Sequence, residues 1–275
     1  MLGYNKIGGK MKNKIMIVAL GGTIGSKKGE FISLDENNLK ILCYYHNDNV
    51  EFHSLSPFSI LSENLCVDNW QILFDCIDSI DFAGYDGVII LHGSDTLAYT
   101  AAMVGNAYPD RNIVLVAADK PPEDPDSNAV ANFGMAVEHL LSGGQGVYVS
   151  YDRLMPALSV TSAGIDDKFL ALDSTLPPVN SRNIIAKNVL IANAYVNMDC
   201  CNYCLDNVDA VLIGMFHSAT VPQGAKDLAH RAKSMGIPCC FVTHRLSADY
   251  ATARGIDNIL TGCTMENAYA RMLLD

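Results

Sequence analysis

Seven short, mostly apolar runs recur along the chain with almost no alternation of apolar and polar residues, at 15–20, 88–91, 113–117, 147–150, 189–194, 208–213 and 239–242. A strand covered on one face alternates, whereas a strand covered on both faces reads as continuous Val, Ile and Leu. Between these runs the spacing changes to that of helices. Val67, Trp70, Leu73, Phe74, Ile77 and Ile80 share one helical stripe, Leu97, Thr100, Ala101 and Val104 a second, and Lys226, Ala229, His230 and Lys233 a third. Strands alternating with helices predict an α/β architecture with a largely parallel sheet. The segment LPPVNSRNIIAKN, 176–188, sets two prolines among polar residues before a fresh strand. It predicts a linker at 177–188 between a larger N-terminal α/β domain, 1–176, and a smaller C-terminal α/β domain, 189–275.

Charge and composition narrow the function classes. The 275 residues carry 30 Asp+Glu against 19 Lys+Arg, a formal net charge of −11, which opposes a phosphate backbone and argues against nucleic acid as a partner. Hydrophobic residues make up 49% of the chain, too many for a disordered protein. The apolar runs fall well short of the roughly 20 residues that span a bilayer, so no membrane association is expected. The opening MLGYNKIGGKMKNK has no apolar core of a secretory signal, and nine cysteines, several adjacent, suit reduced thiols. A cytoplasmic protein is expected.

In open α/β sheets ligands bind beyond the carboxyl ends of the strands, where loops converge. The first run is followed by Gly21-Gly22-Thr23-Ile24-Gly25 and the second by His92-Gly93-Ser94-Asp95-Thr96. The glycine spacing is neither that of a dinucleotide fingerprint nor that of a phosphate-binding P-loop. Ser94 or Asp95 falls where an N-cap is expected for the helix that follows. Two hydroxyl-bearing loops at the ends of two buried strands, with a carboxylate and backbone N–H donors, also supply what acyl transfer needs. The two alcohols are expected to meet over one cavity.

These two motifs, the second extending over DGVIILHGSDTLAYTAA at 86–102, resemble the bacterial L-asparaginase family, especially its cytoplasmic type I branch. Leu61-Ser62-Glu63-Asn64, YDRLM from Tyr151, the LPP of the linker and TGCTMENAYARMLL near the C-terminus extend the likeness over nearly the whole chain. The resemblance implies a two-domain asparaginase-like α/β fold, no metal or other cofactor, and hydrolysis of asparagine, or a related small amide, to aspartate and ammonia. It implies Thr23 as the nucleophile, with Ser94 in place of the family's second threonine and Asp95 beside it as the second catalytic pair. Ser62 and Glu63 would hold the α-carboxylate and α-amino group, Asp95 would receive the ammonium, and the Gly22 loop and the Ala118 carbonyl would face the substrate. A homodimer or homotetramer is implied as well.

The chain departs from the family pattern in its proton-handling groups. Ser162 aligns with the family lysine and Phe31 with its tyrosine, while His217-Ser218-Ala219-Thr220 replaces a Gly-x-Gly-Asn motif. Each lost acid/base group costs about 10²–10⁴ in rate. Three outcomes stay open: rescue by Lys27, Lys28 or Lys168, slow turnover through Thr23, Ser94, Asp95 and water, or an impaired homologue that binds asparagine or aspartate. His92 reads as a framework residue, and Asp166-Asp167 and His230 as solvated groups. Cys201 and Cys204 have C-x-x-C spacing, yet a second spaced pair for zinc is missing and adjacent Cys239 and Cys240 chelate poorly, so reduced thiols are the expected state.

Overall fold

A computed structural model describes residues 12–29, 32–35, 37–173 and 175–274. Most of the opening segment and Phe31 lie outside the described residues. The strands are β1 (Asn13–Ala19), β2 (Ser26–Lys27), β3 (Ser33–Leu34), β4 (Val50–Leu55), β5 (Gly87–Leu91), β6 (Ile113–Val116), β7 (Val147–Tyr151), β8 (Arg153–Pro156), β9 (Val189–Asn193), β10 (Ala210–Gly214), β11 (Cys239–Val242) and β12 (Ile259–Leu260). The α-helices are α1 (Val67–Asp78), α2 (Leu97–Ala107), α3 (Ala129–Leu141), α4 (Gln223–Ser234) and α5 (Met265–Leu273). All seven apolar runs emerge as strands.

The larger sheet has the order β4-β1-β5-β6-β7-β8, parallel throughout except for the β7–β8 hairpin. Its two faces explain the missing alternation. Met16, Val18, Val88, Ile90, Ile113 and Leu115 face a core that contains α1, α2 and the end of α5. Their neighbours Ile15, Ile17, Ile89, Leu91, Val114 and Val116 face α3 on the other side. Every position of the central strands is therefore apolar because every position is covered.

The smaller sheet, β12-β11-β10-β9, is wholly parallel. Val211, Ile213 and Phe241 pack on α4 through Ala225, Leu228 and Ala232, while Leu212 and Val242 pack on the face that carries Ala268 of α5. Helix α5 thus contributes Ala268 to this core and Ala270 and Leu273 to that of the larger sheet. Residues 175–188 form no regular element, and Ile184 makes an isolated bridge with Leu274. Among the described residues no helix is long and apolar enough to cross a membrane.

Candidate active site

Three loops leave the carboxyl ends of adjacent parallel strands and touch through backbone. Gly21, at φ 98°, pairs with Ile60 beyond β4, and Gly22 N–H donates to the Ile60 carbonyl at 3.2 Å. Gly22, at φ 75°, lies against Gly93 so closely that a Cβ would stand 2.2 Å from the Gly93 nitrogen. A Cβ on Gly93 would in turn stand 2.3 Å from Ser62 Oγ. These glycines are required by close approach, and the first two by backbone conformation as well. Thr23 and Ser94 each sit one residue beyond the Gly22–Gly93 contact, within the ~3.8 Å step between consecutive α-carbons.

Neither Ser94 nor Asp95 caps a helix, which corrects the sequence expectation. Helix α2 begins at Leu97 and its N-cap is Thr96, with no side-chain cap bond. The Thr96 hydroxyl instead donates to the Ser62 carbonyl at 2.9 Å, tying the second loop to the third. This releases Ser94 and Asp95 from local duty. Among the described residues the hydroxyls of Thr23 and Ser94 and the carboxylates of Glu63 and Asp95 engage in no hydrogen bond or ion pair. Ser62 is buried, Thr23 and Ser94 are half-buried, and Glu63 and Asp95 are exposed.

His92, the residue after β5, is buried. Its Nδ1 lies 2.7 Å from the Gly93 carbonyl, so Nδ1 carries the proton and donates. Nε2 then accepts from the Thr100 hydroxyl at 2.8 Å, and Thr100 accepts from Trp70 Nε1–H at 3.0 Å. Burial pushes the imidazole down to about 4, which keeps it neutral. The ring holds the carbonyl before Ser94, as a framework residue does.

Ser94 and Asp95 open onto a cavity of about 300 Å³ shared with Asp119, Tyr151, Ser162 and Asp167. Thr23 is not among its lining residues, so the expectation that both alcohols meet over one cavity is met only by Ser94. Thr23 opens a 3-10 turn, Thr23–Gly25, across which Ser26 Oγ–H donates to the Gly22 carbonyl at 2.8 Å. Ala118 is wholly buried at the end of β6, one residue before Asp119. Asp119 is held by reciprocal bonds with Asn128 of 3.0 and 3.1 Å.

Sequence reasoning passes over Asp119 and Asp167 as cavity residues. Asp167, expected to be simply solvated, occupies the left-handed region at φ 56° in a loop closed by Gly164 N–H to the Lys168 carbonyl. Aspartate tolerates that conformation, which is the one available signal. Ser162 lines the cavity where the family lysine was expected, and its N–H donates to Glu266 Oε1 at 2.7 Å. Among the described residues no lysine or arginine lines the cavity. Lys28 pairs with Asp124 at 2.7 Å and Lys168 lies 3.9 Å from Asp166, and neither lines the cavity.

A largely parallel α/β sheet with two glycine-led hydroxyl loops crossing at its carboxyl edge sets these residues where open α/β sheets bind their ligands. The family model "Asparaginase, N-terminal" matches residues 14–172, and the chain belongs to the asparaginase family. It is 33% identical over 151 residues to a glutamyl-tRNA(Gln) amidotransferase subunit of Methanosarcina barkeri, an alignment covering 48% of this chain and 34% of that protein. It is 29% identical over 156 residues to the L-asparaginase of Thermococcus kodakarensis, covering 52% of this chain and 45% of the other. The chain therefore spans less than half the length of these relatives in the aligned regions. In fold, it matches the solved thermostable L-asparaginase from Thermococcus kodakarensis with a TM-score of 0.76 over 94% of this chain and 92% of that one, at 20% identity.

Proposed function

We propose that this protein is an amidohydrolase of the L-asparaginase type, acting on asparagine or a related small amide to give the acid and ammonia. The observation that carries the reading is the Gly22–Gly93 contact, which sets Thr23 and Ser94 on adjoining turns with neither hydroxyl engaged by the protein. In this reading Thr23 Oγ attacks the amide carbon, its proton passes to the leaving nitrogen by way of Ser94 or water, and ammonia departs. Water then cleaves the acyl-enzyme. Glu63 and Asp95, both without a partner among the described residues, grip the substrate ammonium, while Ser62, the Gly22 loop and the Ala118 carbonyl position the rest. A cytoplasmic homodimer or homotetramer belongs to the same reading.

A second reading is favoured by one observation, the absence of any lysine or arginine, among the described residues, from the lining of the Ser94–Asp95 cavity. It makes the protein an impaired homologue that binds asparagine or aspartate without efficient turnover. Ammonia release separates the two. Turnover of asparagine or glutamine that falls by at least about 10²-fold in Thr23→Ala supports the enzyme. No release above background, with asparagine or aspartate still raising the melting temperature, supports the binder.

A further inference from the structure

We propose that Asp199, Cys200 and Cys201 form a site for a thiophilic divalent cation of the zinc type, on the smaller sheet's side of the molecule and sharing no residue with the Ser94 cavity. One carboxylate oxygen of Asp199 and the two sulfur atoms all lie within 4.8 Å of one another. Four-coordinate zinc, with Zn–S of ~2.3 Å and Zn–O of ~2.0–2.2 Å, spaces its ligands roughly 3.5–3.8 Å apart. The separations in the turn thus exceed that spacing by at most about 1 Å.

The backbone under the three ligands is fixed from several sides. Cys200–Asn202 is a 3-10 turn capped by Asp199, whose Oδ1 accepts from Cys201 N–H at 2.8 Å. Arg231 of α4 donates through NH1 to the Cys200 carbonyl at 2.7 Å and through NH2 to the Tyr203 carbonyl. Gly224 of the same helix lies so close to the Met198 carbonyl that no Cβ would fit. A rigid scaffold of this kind lowers the ordering cost of ligation.

The turn is what makes a vicinal pair useful. In β11, Cys239 and Cys240 point to opposite faces, one packed with the α4 core and the other with the α5 core. In the 3-10 turn, Cys200 and Cys201 converge with Asp199. Two thiolates and a carboxylate this close together repel one another as bare anions, and a bound cation offsets that repulsion. Binding one cation displaces the two thiol protons, forms two metal–thiolate bonds and one metal–carboxylate bond, and leaves a fourth position for water, so affinity rises with pH.

The test is titration of the reduced, full chain with cobalt(II), followed by competition with zinc(II). The expected result is sulfur-to-cobalt charge-transfer absorption that saturates at one equivalent, is displaced by zinc, and is lost in Cys200→Ser and in Cys201→Ser. Asp199→Asn weakens binding by about 10-fold or more, the scale of losing one contributing group, and Cys204→Ser leaves it unchanged. Because Cys200 packs partly against the α4 core and its serine variant can fail to fold, a zinc-induced rise in the melting temperature of the unmodified protein gives a second readout. Absence of the absorption, its persistence in both serine variants, or its loss in Cys204→Ser overturns the proposal.

Discussion

His92, Thr100 and Trp70 form a one-directional chain of donors ending on the carbonyl that precedes Ser94. Thr100→Val keeps the shape, removes the hydroxyl, and strands two buried partners, so chemical denaturation is expected to show a loss of about 1–3 kcal/mol. The imidazole titrates near 6.5 in the unfolded chain and about 4 in the folded one, so the unfolded state takes up the proton first. The contribution of this imidazole to stability is full above pH 6.5 and falls as pH drops from 6.5 towards 4, by up to about 3 kcal/mol. Melting curves across that window are expected to lose this slope in His92→Gln. Ser162→Lys adds an ammonium to a cavity that holds Asp95, Asp119 and Asp167, and an increase in ammonia release is expected. Unchanged activity in a folded variant counts against the alignment of Ser162 with the family lysine. At this scale the sequence disclosed Thr23, Ser94 and Asp95 because glycine and hydroxyl motifs are local. Asp119 and Asp167 join the cavity through loops that leave different strands, which no local pattern records.

The hairpin that follows Thr23 is an element whose position depends on charge. Lys28 in the β2–β3 connection donates its N–H to Glu123 Oε1 and pairs its ammonium with Asp124 at 2.7 Å, and Lys40 pairs with Glu123. These contacts clip the hairpin to the 119–127 loop beyond β6. The Lys28 backbone N–H and the Lys40 ammonium hold the Glu123 carboxyl below its ordinary range, and the Lys28 ammonium does the same for Asp124. The clip therefore persists as pH falls to the usual carboxylate range and loosens only below it. In Lys28→Ala, or in high salt, amide exchange over β2 and β3 is expected to accelerate while the global melting temperature stays nearly constant, because exposed pairs contribute little to overall stability. The elements legible from their pattern were α1, α2, α4 and the seven apolar strands. Helix α3 and edge strands β4 and β8 were not legible from the pattern. The edge strands carry a polar, half-exposed side, and α3 begins after a run of Asp, Pro and Ser without any side-chain cap.

For the whole molecule the joint between the two sheets is a buried amide pair. Asn106 of α2 donates to Asn267 Oδ1 of α5 at 2.9 Å and accepts from Val179 N–H, while Asn267 donates to the Leu158 carbonyl and to Thr175 Oγ1. Asn267→Ala leaves these groups unsatisfied in the interior, and denaturant titration is expected to show a loss of about 2 kcal/mol or more. The α/β class followed from strand–helix alternation, but this joint did not, because Asn106 and Asn267 are far apart along the chain and each alone reads as an ordinary helical polar residue. Helix α5 has a further consequence. During translation α1, α2 and α3 leave the ribosome with the strands they cover, yet both hydrophobic cores still lack side chains that only α5 brings. Nascent chains paused before residue 264 are therefore expected to be clients of chaperones that recognise exposed apolar surface, however complete their strands.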